Sequence, residues 1–191
     1  MRTADRDLRV VQVVVSAALA TLEASRRRID DLNVYPVPDG DTGTNLTMTV
    51  RAVAEAVEAS HASDRRSLAR DVARGALMGA RGNTGVILSQ IVRGAVDVLA
   101  ESTNGIEPAL AARALREATD AAYRAVRRPV EGTMLSVIRE LAEEAEAHAN
   151  GGPLGDLLVE LVRRGEDAVA RTPDQLAVLR EAGVVDAGGA G

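Results

Sequence analysis

"LRVVQVVVSAALATL", residues 8–22, decides the fold class. Leu8, Val11, Val15, Ala18 and Leu22 recur at steps of three and four. That is the spacing of one helix face, not the strict alternation of a half-buried strand. The rhythm returns at Leu46, Val50, Val53 and Val57, and at Leu68, Val72 and Ala76. It continues at Ile87, Ile91, Ala95 and Val98, and at Leu110, Ala114, Ala118 and Ala121. Met134, Ile138, Leu141 and Ala145 follow, then Leu154, Leu158 and Leu161, and last Leu176 with Leu179. No run keeps a period of two over a strand's length, so the spacing predicts about eight helices. The breakers between them are "STNG" (102–105) before Pro108, "RRPVEG" (127–132) and "NGGP" (150–153). "RTPDQ" (171–175) reads as one more, with Thr172 as N-cap, Pro173 at the first helical position and Gln175 closing a capping box. Short connections favour antiparallel neighbours. The expectation is an all-α protein, one antiparallel multi-helix domain over residues 1–191.

Composition narrows the function classes. Apolar residues make up 46% and charged residues 27%, an ordinary globular balance. Tyr35 and Tyr123 are the only aromatic residues, so the core must be built from Leu, Val, Ile, Met and Ala. The same scarcity counts against single-stranded nucleic acid, which is gripped by aromatic stacking. A net charge of −5 offers no general basic field for a phosphate backbone. No cysteine is present, which removes disulfides, thiolate nucleophiles and cysteine-based metal sites. The 8–22 stretch is broken by Arg9, Gln12 and Ser16 and reads as too short and too polar to span a bilayer, with no signal-peptide cleavage pattern behind it. A cytoplasmic protein is expected. All 23 basic residues are arginine, which excludes the P-loop lysine, the protein-kinase strand lysine and Schiff-base chemistry.

"NVYPVPDGDTGTN", residues 33–45, interrupts this helical text. Asp39 and Asp41 flank Gly40, with Thr42, Gly43, Thr44 and Asn45 following. Two carboxylates about a flexible glycine can turn oxygens toward one hard cation, and hydroxyl and amide groups beside them can meet phosphate. Mg²⁺ favours such sparse protein ligation, completed by water and substrate phosphates. A calcium EF-hand fails position by position: counted from Asp39, the sixth residue is Thr44 instead of glycine and the twelfth is Val50 instead of glutamate. A plain helix N-terminus remains the alternative, and accounts for one acid and one threonine.

Two further junctions share this character. In "MGARGNTGVILSQ" (78–90), Gly79, Gly82 and Gly85 precede an apolar helix, with Asn83 and Thr84 between them. Backbone N–H groups at such an entry can hold an anion without a lysine, although tight packing explains glycines equally well. Arg81 either contacts the same anion or points into water. "VEGTMLSVIRE" (130–140) opens a helix on Gly-Thr, where Thr133 suits a cap and Met134 a core position. The closing "GVVDAGGAG" (183–191) sets Asp186 among glycines and reads as a flexible end. His61 and His148 have no glycine loop or fixed partner nearby in sequence, and carry little catalytic weight.

Taken together, "LNVYPVPDGDTGTN", "LMGARGNTGVILSQ", "RPVEGTMLSVIRE" and "LREAGVVDAGGAG" resemble the ATP-binding domain of the bacterial fatty-acid kinases. That domain is similar in turn to the nucleotide-binding L (DhaL) type of dihydroxyacetone kinases. The resemblance implies an eight-helix antiparallel up-and-down barrel with ATP and two Mg²⁺ at one rim. It implies metal ligation by Asp39 and Asp41, with Asn33 ligating through its amide oxygen or through water. It places Thr42, Thr44 and Asn45 against phosphate or metal, and Gly82, Asn83 and Thr84 around the phosphate tail. Thr133 and Met134 would lie near the adenine, with Asp186 closing that side. Catalysis would rest on Asp39, Asp41 and Arg81.

The implied reaction moves the ATP γ-phosphoryl to a fatty-acid carboxylate carried by a DegV-family binding protein. A carboxylate is already ionised at neutral pH and needs no general base, and the residues offer no convincing one. Asn33, standing where dihydroxyacetone kinases carry a third aspartate, argues against that substrate. A dihydroxyacetone-kinase-like phosphotransferase and a non-catalytic nucleotide-sensing module remain the alternatives. In this family the domain is the N-terminal part of a longer polypeptide whose other regions dimerise and engage the carrier. No nucleic acid and no transmembrane segment are expected.

Overall fold

The computed structural model describes residues 3–102 and 105–191. Among them are nine helices and no strand, so the chain is all-α. The break at 102–105 falls partly outside the described residues. Seven helices are long: α1 (Thr3–Asp31), α2 (Thr42–Glu58), α3 (Arg65–Gly79), α4 (Gly82–Leu99), α5 (Pro108–Ala125), α6 (Met134–Ala147) and α7 (Leu154–Gln175). Two are short, α8 (Ala177–Ala182) and α9 (Ala187–Ala190).

Each long helix packs on the next in sequence, α1 on α2 through to α6 on α7, with α2 also touching α4. Connections are short, so the helices alternate in direction. Alternation sorts the loops. Residues 32–41, 80–81, 126–133 and the 176–186 segment lie at one rim, together with the N-termini of α2, α4 and α6. The loops after α2, α4 and α6 lie at the other, where Arg65 pairs with Asp7 at 2.6 Å and donates to the Ser102 carbonyl at 2.7 Å.

The core follows the apolar stripes. Val53, Val57, Leu68, Val72 and Ala76 join α2 to α3, with Leu8, Val11 and Val15 of α1 packed on them. Leu22, Ile29, Leu46 and Ala187 form a second cluster near the first rim, and Ala112, Ala145 and Leu157 a third between α5, α6 and α7. With so few large side chains, close approach of small residues does much of the packing. A Cβ on Gly94 would sit 2.6 Å from the Glu117 carbonyl oxygen, so α4 and α5 touch nearly backbone to backbone.

The structure corrects three expectations. First, α1 is 29 residues long, and over Arg6–Asp31 it is long and apolar enough to cross a membrane by length and composition. Here it lies along α2. Second, "RTPDQ" is no break: α7 runs through Pro173 to Gln175. Proline leaves the carbonyl four residues back without its usual donor. The buried Thr172 hydroxyl takes that carbonyl, of Val169, at 2.7 Å. Third, the glycine-rich C-terminal end is packed. Ala187 is buried, and a Cβ on Gly191 would collide with Leu46.

The helices at the two ends of the series, α1 and α7, run in the same direction and do not pack on each other along their length among the described residues. Val10, Val13 and Val14 of α1 and Leu158, Val159 and Val162 of α7 stand exposed, Val13 by 69% and Val159 by 68%.

Candidate nucleotide and cation site

All the residues singled out in the three glycine-rich junctions and the closing motif fall at one rim. The first junction is braced from α1. Asn33 is buried, its amide oxygen accepting both the backbone N–H of Thr42 (3.2 Å) and the Thr42 hydroxyl. Its amide nitrogen donates to the Val37 carbonyl at 2.6 Å. Asn33 therefore pins both ends of the proline loop, with both oxygen lone pairs engaged. Asp30 accepts the N–H and the hydroxyl of Thr44, each at 2.9 Å, and Arg26 stands 3.8 Å from Asp30 and 3.3 Å from the Thr44 hydroxyl.

The N-terminus of α2 is thus capped by two side chains of the preceding segment. Asp41 occupies the N-cap position yet makes no side-chain cap bond. No hydrogen bond or ion pair engages the carboxylates of Asp39 or Asp41 among the described residues, and Asp39 is exposed. The sparse pair of unshared carboxylates is what a hard cation such as Mg²⁺ uses when water and phosphate fill its remaining positions. No group of three or more His, Cys, Asp or Glu converges among the described residues, so a richer, cation-trapping cage is not built here.

The second junction meets the first. Gly82 has φ +59, a left-handed conformation, and a Cβ there would collide with the Asn45 amide. Gly85 lies against the Thr49 hydroxyl in the same way. These approaches bring the starts of α2 and α4 together. Unlike α2, α4 is open at its N-terminus: Arg81 is its N-cap and supplies no side-chain cap bond. Gly82 and Asn83 are exposed and Thr84 is half-buried. Uncapped first-turn amides at the positive end of a helix dipole suit an anion. The Arg81 guanidinium is folded back on the C-terminal end of α3, donating to the Met78 (3.2 Å) and Ala80 (2.9 Å) carbonyls.

The third junction and the closing motif lie at the same rim, where α9 packs on α1, α2 and α6. Thr133 caps α6, accepting from the Leu135 N–H at 3.4 Å and donating to the Val130 carbonyl at 2.8 Å. Asp186 caps α9 through the Gly189 N–H at 2.7 Å. Its own N–H donates to the Thr172 hydroxyl at 3.0 Å. Burial pushes the Asp186 carboxyl up to about 6, against the Gly189 and Met134 amides that favour its ionised form. Gln175, expected to close a capping box, accepts from the Gly132 N–H at 3.0 Å instead. His61 and His148 lie toward the other rim, after α2 and α6.

Sequence reading missed Asp30 and Arg26, and gave Thr172 a helix-start role in place of the Val169 and Asp186 contacts it makes. Asp30 left one signal: an Asp-Asp pair in the last turn of a helix opposes its dipole and needs a reason to be there.

The chain is thus an all-α array with loops, helix N-termini and unshared carboxylates gathered at one rim. The chain belongs to the DAK2 domain family, which matches residues 36–191, and so to a kinase-related family of nucleotide-binding helical domains. It is similar to the uncharacterized proteins SAB1090 of Staphylococcus aureus strain bovine RF122 / ET3-1 and SAUSA300_1119 of strain USA300. Identity to each is 43% over 164 residues, covering 85% of this chain and 30% of the relative. The chain thus spans under a third of the length of these relatives.

Proposed function

We propose that this chain is the ATP- and Mg²⁺-binding catalytic domain of an acyl (fatty acid) kinase. It moves the γ-phosphoryl of ATP to a fatty-acid carboxylate presented by a DegV-family carrier, in the cytoplasm, and yields acyl phosphate and ADP. The observation that carries the reading is the meeting, at one rim, of two unshared carboxylates and an uncapped glycine-rich helix entry.

In this reading Asp39 and Asp41 hold the cation. A bound Mg²⁺ supplies charge neutralisation on the phosphate oxygens. The amides of Gly82, Asn83 and Thr84 hold the phosphate tail, and the Asn45 amide beside Gly82 fixes their position. Thr42 and Thr44 act through the loop they brace, since both hydroxyls are held by Asn33 and Asp30. Thr133, Met134 and Asp186 form the adenine wall. Arg81, whose Nη1 is held by two carbonyls, keeps Nε and Nη2 as donors for a phosphate. The acceptor carboxylate is ionised at neutral pH, so the chain's task is positioning and charge complementarity, with no proton to remove.

Calorimetric titration with ATP, with and without Mg²⁺, tests the site. Release of ADP in the presence of fatty-acid-loaded carrier, compared with dihydroxyacetone, tests the acceptor. Tight binding that ignores Mg²⁺, or ADP release with dihydroxyacetone alone, rejects the reading.

A further inference from the structure

We infer that Glu131, a surface residue outside the site, is the positioning residue that sets the Thr133–Met134 wall. The inference rests on the nucleotide reading above for what that wall touches.

Three helices, α5, α6 and α7, converge on residues 130–133. Glu131 accepts the Ser136 hydroxyl at 2.7 Å, the Arg139 guanidinium at 2.8 Å and the Tyr123 hydroxyl at 3.0 Å. Ser136, itself buried, accepts the Gly132 N–H at 2.8 Å. A serine hydroxyl has one proton, and its direction decides which lone pairs remain. With that proton fixed on Glu131, the Ser136 oxygen is left to receive Gly132. Gln175 of α7 takes the same N–H from the other side.

The backbone at Gly132 has no slack. Its φ is +80, and a Cβ would lie 2.8 Å from the Leu176 Cβ and 2.9 Å from the Thr172 carbonyl oxygen. The next residue is Thr133, which caps α6, and the one after it is Met134, whose amide favours the ionised form of Asp186. The path from Glu131 to the site is therefore two hydrogen bonds joining three groups: carboxylate, Ser136 hydroxyl, Gly132 amide. Burial works against the ionised Glu131, but the donors from Ser136, Arg139 and Tyr123 outweigh it and hold the carboxyl below its usual range. It stays charged in its bracket at neutral pH.

Glu131 is exposed, so its removal opens no core cavity. Its loss frees Tyr123 and Arg139 on the surface and, through Ser136, loosens this wall. The test compares the protein with Glu131→Ala and Glu131→Gln by amide hydrogen exchange and by titration with MgATP and with magnesium tripolyphosphate, which lacks a base. Expected is faster exchange at Gly132, Thr133 and Met134 in E131A, with smaller acceleration in E131Q, which keeps an acceptor. Exchange at residues 148–153 of the other rim stays unchanged. Affinity for MgATP falls about tenfold while that for tripolyphosphate moves little. Unchanged exchange at 132–134 in E131A, or an equal loss for both ligands, overturns the inference. A protein that binds ATP no better than tripolyphosphate from the outset refutes the adenine placement instead, and the exchange comparison still decides the role of Glu131.

Discussion

Asp30, near the end of one helix, closes the start of the next: its carboxylate takes both the N–H and the hydroxyl of Thr44 at 2.9 Å. The bond joins α1 to α2 across the proline loop that carries Asp39 and Asp41. Replacing Asp30 by alanine orphans a helix N-terminal donor and takes the neighbouring carboxylate away from Arg26. The expected cost is about 1–2 kcal/mol of stability, on the scale of a lost N-cap. Urea denaturation followed by circular dichroism measures it, and Asp30→Asn, which retains an acceptor, should lose less.

Asp41 should behave in the opposite way. It caps nothing with its side chain, so Asp41→Ala should leave helicity and the unfolding midpoint nearly unchanged, within about 0.5 kcal/mol. Mg²⁺-dependent nucleotide binding should be abolished. Unaltered affinity in a titration calorimeter would place the cation elsewhere.

Gly82→Ala combines two penalties. The left-handed φ of +59 strains any side chain, and the added Cβ meets the Asn45 amide. A loss of about 1–3 kcal/mol is expected, with weakened triphosphate affinity because α4 shifts against α2. Gly105→Ala, where a Cβ meets nothing within 4 Å, is the matched control and should be close to neutral.

The buried Asp186 predicts a pH dependence. Its folded-state value of about 6 lies above the ordinary 3.8, so the folded form binds the proton more tightly. The stability this group contributes is therefore full in acid below about pH 4 and is lost as pH rises through about 6, by up to about 3 kcal/mol. Thermal melts of the protein and of Asp186→Asn across pH 4–8 should converge in acid and separate above pH 6, the asparagine variant showing the flatter profile.

Most of the architecture was legible because periodicity tracks burial: the stripe from Leu46 to Val57 lies where its spacing put it, whereas Ala18 in the first stripe and Leu158 in the seventh stand exposed. The misreadings came where a distant residue settled a local ambiguity. Thr172-Pro173 has the composition of a helix start, but its threonine closes the carbonyl that the proline leaves free and also receives Asp186 from 14 residues away. "DAGGAG" has the composition of a loose end, yet Ala187 fills a space between Leu22, Ile29 and Leu46 that no local rule reveals. At the site, the residue types of Asp39, Asp41 and Gly82 marked the rim. The caps, Asp30 and Asn33, were hidden because capping of α2 by the segment before it depends on the path of the proline loop.

Direction along the bundle has one last consequence. Among antiparallel neighbours an odd count leaves the first and last members pointing the same way, and here those are the valine-lined α1 and α7. A helix laid between them is antiparallel to both only if it descends from the rim that carries the N-termini of α2, α4 and α6.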